Sequence, residues 1–253
     1  MFSRAIVRKP CKNFSNGLTT SNLGKPIYKT VIQQHLKYVN VLKKCGLEVI
    51  DLDPDENFPD STFVEDTAVV NEKFALITNP GAESRKGEEI GIQQVLNKYY
   101  ENLECINDPG TLDGGDVMRI ENHYYIGISQ RTNANGARQL TTILQKHGFL
   151  CTSINLIYFL HLKSGVNYIG DGNILVSGEF AENRLFENFN RIKVENDEIY
   201  AANCVRINNR VLMPKGYNKT KKSLLVLEYE IIELEMSEFR KMDGGLSCLS
   251  IRF

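Results

Sequence analysis

The sequence lacks an excess of charge of either sign, since 30 lysines and arginines oppose 31 aspartates and glutamates for a formal net charge of −1. Its basic residues are scattered, so the positive surface expected of a nucleic-acid-binding protein is missing. It also lacks an apolar run near the roughly 18 residues of a membrane span, and its N-terminus lacks the long apolar core of a signal peptide. We therefore expect a cytoplasmic protein whose partner is a small molecule, with no nucleic acid and no membrane involved.

Closely spaced cysteines and histidines are missing as well. The six cysteines are far apart, the nearest pair being Cys11 and Cys45, and this spacing excludes a zinc ribbon and a dense disulfide framework. The four histidines stand at positions 35, 123, 147 and 161, without the short-range pairing that is typical of zinc sites. We expect reduced thiols, no bound metal and no cofactor.

What the sequence does contain is a repeated strand pattern. Apolar strand pairs flank polar turns at Asn71, Glu121, Asp171 and Asn208, and Asp-Gly or Asn-rich centres are typical of tight hairpins. Successive turns are separated by 50, 50 and 37 positions. Self-similarity at such a period indicates a radial or stacked repeat.

Predicted helices fall between these hairpins. Apolar residues at helical spacing predict one helix that begins near Tyr28 and stops at Gly46, and another around residues 140–144. Weaker patterns predict three more helices, at 84–99, 180–190 and 219–229. Each of the predicted helices therefore lies between two strand pairs.

Four hairpins and two terminal strands, at residues 5–8 and 247–252, supply five repeat units. The sequence therefore predicts an α/β fold, a five-bladed α/β propeller with pseudo-fivefold ββαβ repeats around a central channel. The alternative is an α+β domain whose turns are evenly spaced by accident. Because 42% of the residues are hydrophobic and no segment resembles a linker, we expect a single domain over residues 1–253.

Polar residues cluster just before each predicted hairpin, at strand ends that converge on the channel of a propeller. The segments are 59–66, 111–116, 161–164, 202–203 and 244–248. Carboxylates, one imidazole and one thiol are therefore expected to share one centre. Acids gathered in this way need a cation, and a planar guanidinium, which offers several donors to carboxylates, fits better than a metal ion.

Cys248 follows Gly244 and Gly245, on what the pattern predicts to be an apolar strand. Glycines allow the backbone to approach a ligand closely, so this thiol is the best candidate for a nucleophile. The alternative is a small buried strand residue, as many free cysteines are. A thiol needs partners elsewhere in the fold to be catalytic, so the choice depends on those partners.

Seven motifs run through the chain from end to end. They are Phe63-Val64-Glu65-Asp66, Pro80-Gly81-Ala82-Glu83-Ser84-Arg85, Leu112-Asp113-Gly114-Gly115-Asp116-Val117, Arg131-Thr132-Asn133, His161-Leu162-Lys163-Ser164, Ala201-Ala202-Asn203-Cys204 and Asp243-Gly244-Gly245-Leu246-Ser247-Cys248. In this order and at this spacing they closely resemble the dimethylarginine dimethylaminohydrolases of the guanidino-group-modifying (pentein) superfamily. The resemblance implies a five-bladed α/β propeller that hydrolyses asymmetric dimethylarginine and monomethylarginine to citrulline and methylamines.

The resemblance also implies roles for individual residues. Cys248 is then the nucleophile, His161 the general acid and base, and Asp113 the acidic partner, although some relatives carry the longer glutamate there and the reach of aspartate is left open. The loop 15–25 resembles the family's lid. The implied substrate-binding residues are Glu65 and Asp66 for the guanidinium or its support, Asp60, Arg85, Arg131 and the backbone near Leu18 and Asp243 for the amino-acid end, and Phe63.

This set of side chains suits a covalent mechanism. The Cys248 thiolate would attack the guanidinium carbon, His161 would protonate the departing amine, and the imidazole would then activate water to hydrolyse the covalent thiouronium. The thiolate has two routes of formation. A bound cation at ~4 Å and an effective dielectric of ~20 is worth about 4 kcal/mol, and a protonated His161 can instead pair with the thiolate in the free enzyme.

Three other functions compete with this one. An arginine deiminase of the same superfamily usually has an acid two residues after the catalytic histidine, where this chain has Lys163. An amidinotransferase needs a second amine site that nothing in the sequence identifies. A non-catalytic, ribosome-binding propeller has no reason to retain cysteine, histidine and aspartate together. A homodimer is compatible with the sequence but is not required by it.

Overall fold

The computed structural model describes the chain from Met1 to Phe253. Its 15 strands form five separate sheets of three strands each. The strands are β1 (Arg4–Arg8), β2 (Glu48–Leu52), β3 (Ala68–Val70), β4 (Ala75–Ile77), β5 (Leu103–Cys105), β6 (Val117–Ile120), β7 (His123–Ile128), β8 (Leu150–Asn155), β9 (Val166–Gly170), β10 (Asn173–Val176), β11 (Asn190–Lys193), β12 (Val205–Ile207), β13 (Arg210–Pro214), β14 (Glu230–Leu234) and β15 (Ile251–Arg252).

Four sheets repeat one construction, in which the middle strand pairs antiparallel with the first strand and parallel with the third. The four predicted hairpins are confirmed. Their turn residues Glu121, Asp171 and Asn208 have φ angles of 53°, 53° and 55°, in the left-handed region that tight hairpins require. At the remaining turn, the Asn71 side chain accepts hydrogen bonds from the backbone of Lys73 and Phe74.

The fifth sheet joins the two ends of the chain. Strand β15 pairs antiparallel with β1, which places Arg252 opposite Ala5, and β1 pairs in parallel with β2. The C-terminal strand therefore occupies the position that the first hairpin strand has in the other sheets. The prediction of a five-bladed α/β propeller, with both termini in one blade, is confirmed.

Five hydrophobic clusters hold neighbouring blades together. The cluster around Leu76 and Ile126 joins the sheet of β3–β5 to the sheet of β6–β8. The largest cluster, with 20 buried residues, joins the sheet of β12–β14 to the sheet that β15, β1 and β2 form. The other three clusters fill the remaining interfaces. The apolar area buried in this way runs around the whole ring, so the strand ends are held at the centre by packing on every side.

The helices connect the second and third strands of the blades or precede a first strand. They are α1 (Tyr28–Lys44), α2 (Glu89–Leu96), α3 (Ala134–Lys146), α4 (Leu162–Gly165), α5 (Asn218–Val226) and α6 (Ser237–Arg240). None of them is both long and apolar enough to cross a bilayer.

The helix predicted at 180–190 is wrong. This segment contains two short 3₁₀ turns, Gly178–Phe180 and Arg184–Phe186. The Asn183 side chain accepts a hydrogen bond from the backbone N–H of Leu185, which starts a new turn where a helix would have continued. Asparagine commonly competes with helices in this way.

Candidate active site

Each polar segment predicted from the sequence overlaps a short helical element that leads into the first strand of a blade. The turns are Val64–Thr67, Gly114–Asp116, Leu162–Gly165 (α4), Asn196–Ala202 and Ser247–Leu249. Successive turns contact one another around the ring. Residues that are far apart in the sequence therefore meet at one end of the central channel.

Cys248 lies on one of these turns, so the prediction of a strand position is wrong. Strand β15 begins only at Ile251, and the two glycines before the turn are closely packed. A Cβ atom on Gly244 would lie 2.2 Å from Cε1 of Phe63, and one on Gly245 would lie 2.4 Å from Oδ1 of Asn203. The close approach leaves the Gly245 N–H 3.4 Å from the Cys248 Sγ.

The surroundings of Cys248 disfavour its thiolate. Burial and the charges of Glu65 and Asp66 together raise the pKa of the thiol to about 12, although the Gly245 N–H and Lys163 oppose them. The thiol is therefore protonated at neutral pH. Any route to the nucleophile must bring additional positive charge to this point.

His161 stands at the N-terminal end of α4, with its Nε2 3.1 Å from Oδ2 of Asp113. Burial lowers the pKa of the imidazole, but the charges of Asp66 and Asp116 and the hydrogen bond with Asp113 outweigh it and raise the pKa to about 9. His161 is therefore a cation at neutral pH, ready to donate a proton.

Asp113 reaches the imidazole in spite of its short side chain, which settles the geometric question that the sequence left open. The residue is fully buried. Its Oδ1 accepts a hydrogen bond of 2.9 Å from the Gly81 N–H, and its Oδ2 lies 3.4 Å from Nη1 of Arg131. These contacts fix the carboxylate that orients His161.

Asp116 supports His161 from the other side and was not singled out by the sequence. It is fully buried, and it accepts hydrogen bonds from the hydroxyls of Ser129 and Thr132, both at 2.7 Å, and from the Leu162 N–H at 2.9 Å. The last contact holds the first turn of α4 and therefore the backbone at His161. The Gly-Gly-Asp sequence before β6 was the only available signal of this role.

Asp66 is paired with a buried arginine. Its Oδ2 lies 2.6 Å from Nη1 of Arg85, and its Oδ1 accepts a hydrogen bond of 2.8 Å from the Gly115 N–H. Burial raises the pKa of Asp66, but His161 and Arg85 lower it below its usual range. Arg85 also contacts the Phe63 carbonyl oxygen at 3.2 Å, so it is part of the site rather than a solvated surface charge.

Glu65 is held by three other groups. Its Oε1 lies 2.7 Å from Nζ of Lys163 and 3.1 Å from Nη2 of Arg252, and its Oε2 accepts a hydrogen bond of 2.6 Å from the Ser247 hydroxyl. The sequence indicated Lys163 only as a position where the deiminases have an acid, and it gave no signal for Arg252. Glu65 thus holds the turn that carries Cys248 through Ser247, and it has few lone pairs left to accept hydrogen bonds from a ligand.

The predicted lid is fastened at two points. The Leu18 N–H donates to Oδ2 of Asp60 at 3.0 Å, and Asp243 accepts hydrogen bonds from the Thr20 N–H at 2.5 Å and hydroxyl at 2.9 Å. Burial raises the pKa of Asp60. Phe63 contributes its backbone to the site, whereas its ring packs with those of Phe14 and Phe239.

The structure changes the expectation that a bound cation must neutralise the carboxylates. Arg85, Arg131, Lys163 and Arg252 already pair with them within the chain. Ligand atoms of Asp66, Asp113 and His161 lie within 4.8 Å of one another, close enough for one metal ion to bridge. An ion there would have to displace the contacts with Arg85 and Arg131, and it would oppose the positive charge of His161.

A thiol, an imidazole–carboxylate pair and a set of buried acids at the centre of five α/β blades define a class of protein. It is the class of α/β propellers that modify guanidino groups. The N-terminal domain of ArgZ, an arginine dihydrolase of cyanobacteria, has this fold with a TM-score of 0.89 at 20% identity, covering 98% of this chain and 97% of that one.

Closer matches define the family. The family model for eukaryotic N,N dimethylarginine dimethylhydrolase matches residues 12–251. N(G),N(G)-dimethylarginine dimethylaminohydrolases from Pseudomonas aeruginosa and Streptomyces coelicolor are 46% and 34% identical, over 100% and 98% of this chain and 100% and 96% of theirs. The Pseudomonas enzyme, in a structure of its Cys→Ser variant with citrulline, has a TM-score of 0.99 at 45% identity with complete coverage of both chains. The chain therefore belongs to the dimethylarginine dimethylaminohydrolase family.

Proposed function

We propose that this enzyme hydrolyses Nω-methylated arginines, namely asymmetric dimethylarginine and monomethylarginine, to citrulline and methylamines through a covalent thiouronium on Cys248. The observation that carries the proposal is the arrangement around Asp66. The charge of this one carboxylate raises the pKa of both the Cys248 thiol and the His161 imidazole, so it lies close to the nucleophile and to the proton donor. A substrate guanidinium bound there lies between them.

The other polar groups fit the remainder of the substrate. Asp60 and Arg131 lie on the side of the site that the lid covers, and we assign the substrate's α-amino and α-carboxylate groups to them together with Arg85. Backbone groups of Leu18 and Asp243 complete this end. Glu65 supports the guanidinium end through its contacts rather than by a free carboxylate.

Substrate binding supplies the charge that activates Cys248. A guanidinium at ~4 Å, with an effective dielectric of ~20, stabilises the thiolate by about 4 kcal/mol, roughly a thousandfold in its population. This route is supported by the high pKa of the thiol in the unliganded protein, which Gly245 and Lys163 lower too little to form the thiolate at neutral pH. The thiol releases its proton to solvent only when the substrate cation is in place.

The covalent step follows from these charges. The thiolate forms a C–S bond with the guanidinium carbon, the C–N bond to the methylated nitrogen breaks, and His161 gives its proton to the departing amine. The now neutral imidazole, oriented by Asp113, removes a proton from water. The resulting hydroxide attacks the thiouronium, the C–S bond breaks, and citrulline remains. Structures in the family include an adduct of a His→Gly variant with S-methyl-L-thiocitrulline.

Citrulline release from asymmetric dimethylarginine tests the proposal directly. Cys248→Ser should abolish turnover while the circular dichroism spectrum and melting temperature stay unchanged, because a hydroxyl is nearly isosteric with a thiol but a poor nucleophile. The matched control is Cys105→Ser, at an exposed cysteine outside the site, which should retain wild-type turnover. Citrulline formation by Cys248→Ser at the wild-type rate would contradict the assignment.

We further propose that residues 1–253 act as one catalytic domain. The support for this is the blade shared by the two ends of the chain, since β1 and β15 must come together to complete the ring. Limited proteolysis should then yield no fragment that folds or catalyses by itself. A stable fragment lacking one blade would contradict the proposal.

A further inference from the structure

Glu88 is a buried carboxylate that the proposed mechanism does not use. Its side chain is only 1% exposed, and its Oε1 lies 2.5 Å from Nη2 of Arg85. The other oxygen, Oε2, is buried without a hydrogen-bond partner, and so is the Nε of Arg85. Two complementary polar atoms are thus left unsatisfied in the same ion-pair cluster, which is a costly arrangement in a protein interior.

The charges around Glu88 are unbalanced. Arg85 faces Asp66 directly, and Glu88 also experiences the charges of Asp66 and Asp60. Arg131 lowers the pKa of Asp60. Burial raises the pKa of Glu88, Arg85 lowers it, and the charges of Asp66 and Asp60 raise it, with a net result of about 7. Glu88 is therefore the carboxylate of this cluster whose charge is easiest to remove near neutral pH.

An amino-acid ligand brings one more carboxylate to this cluster. The free Nε–H of Arg85 is the donor that such a group would satisfy. Once the ligand carboxylate binds, the single guanidinium of Arg85 faces three carboxylates, namely those of the ligand, Glu88 and Asp66. Asp66 is held in its charged form by His161 as well as by Arg85, so it is not the group that gains a proton.

We propose that Glu88 is a proton-linked positioning residue for the substrate's α-carboxylate: it holds Arg85 while the site is empty and takes up one proton when the carboxylate binds. The inference rests on the proposed function, since it requires an amino-acid ligand at Arg85. Because Glu88 takes up a proton on binding, the site binds amino acids more weakly as the pH rises. The Kd increases by up to about tenfold per pH unit once Glu88 is ionised in the free protein.

Proton uptake on ligand binding is the measurement that separates this role from a structural one. Citrulline is the probe, because its side chain is uncharged and it brings only the amino-acid end. Calorimetric titration of the Cys248→Ser protein at pH 8, in buffers with different ionisation enthalpies, gives the number of protons bound. We expect an uptake close to one proton, which falls by more than half when Glu88→Gln is added.

Two further variants make the test decisive. Glu83→Gln, at an exposed residue of the neighbouring 3₁₀ turn that pairs with Lys86, should leave the uptake unchanged, and Glu88→Asp should retain it. Equal proton uptake by the Cys248→Ser protein and by the Cys248→Ser, Glu88→Gln protein would overturn the inference. The absence of proton uptake by the Cys248→Ser protein would also overturn it, and this result does not require the Glu88→Gln variant to fold. Failure of citrulline to bind any of the proteins would instead contradict the proposed function, and the inference with it.

Discussion

Single side chains decide the chemistry of this enzyme through the charges around them. Cys248 is a buried thiol beside Glu65 and Asp66, and this environment keeps it protonated, whereas His161 lies among carboxylates that keep it charged. Both the Cys248 thiol and the His161 imidazole are therefore protonated before the substrate binds. In the proposed mechanism, a positively charged substrate stabilises the thiolate of Cys248 and leaves the proton on His161 for the departing amine.

His161→Gly should trap a covalent adduct. The substrate cation still activates Cys248 in this variant, but the water that would cleave the thiouronium has lost its base. Mass spectrometry of the intact protein after incubation with asymmetric dimethylarginine should show the added mass. His123→Asn, at a partly exposed histidine of β7 that bonds to Thr152, serves as the control and should turn over normally. Unchanged turnover by His161→Gly would exclude the histidine from the reaction.

Lys163 bears on substrate selectivity. Its ammonium pairs with Glu65, so this position contributes no second carboxylate to clamp the far side of a guanidinium. Monomethylarginine and asymmetric dimethylarginine can then keep their unsubstituted nitrogen toward Asp66. Symmetric dimethylarginine turns a methyl group toward a carboxylate, and an unpaired buried acceptor costs about 1–3 kcal/mol.

We expect specificity constants for symmetric dimethylarginine to be roughly 5- to 100-fold lower than for the asymmetric isomer. A panel of arginine and its three methylated forms, measured as kcat/KM for citrulline release, checks this. Arginine turnover that exceeded turnover of the methylated substrates tenfold would reassign the enzyme as a deiminase.

At the scale of elements, the short turns before the first strands are what bring the site together. In a regular strand successive side chains point to opposite faces of the sheet, whereas in a helical turn neighbouring side chains spread over part of a circle. The successive residues Glu65 and Asp66 thus reach different partners in the site, Lys163 and Arg85. The turn at Ser247–Leu249 depends on close packing, because the glycine before it leaves room for the aromatic ring of Phe63.

Gly244→Ala should therefore damage the turn that carries Cys248. The added Cβ would overlap the Phe63 ring, which the rings of Phe14 and Phe239 hold in place, so we expect a loss of about 1–3 kcal/mol in the free energy of unfolding and a lower kcat. Urea denaturation and citrulline release measure the two effects. Adding Phe63→Leu to the Gly244→Ala variant should restore part of the free energy of unfolding and part of kcat. If the effects of the two substitutions are simply additive, the Phe63 ring is not what the added Cβ overlaps.

At the scale of the whole molecule, the ring is closed by a two-residue strand. Residue 253 exchanges backbone hydrogen bonds with Arg4, and Arg252 reaches from β15 to Glu65 beneath the site. The closure of the fold and the support of the site thus depend on the same three C-terminal residues.

Removal of residues 251–253 should lower the melting temperature and citrulline release together. The deletion opens the blade formed by both termini and leaves buried Glu65 with one cation fewer. The control is Phe253→Ala, which keeps the strand pairing and removes only the ring that packs on Tyr99 and Tyr100. Equal melting temperatures for the deletion and for Phe253→Ala would show that strand closure contributes little.

The sequence by itself determined the architecture and predicted the reactive groups. Hairpin turn residues recur at separations of 50, 50 and 37 positions, so the hairpins and their repeated arrangement follow from local sequence pattern, and the order of the motifs predicted Cys248, His161 and Asp113 as the reactive groups. Such features depend on residues that are neighbours in the chain, where backbone preferences act directly.

Only the tertiary structure decided how the charges are balanced. Glu65 meets Ser247 across 182 positions of sequence and Arg252 across 187, and no local pattern reports a pairing of that kind. The same holds for the two unsatisfied atoms of Arg85 and Glu88, because burial and partner geometry exist only once the blades have closed. The pKa values that govern the reaction follow from that burial, and so they belong to the fold rather than to the motifs.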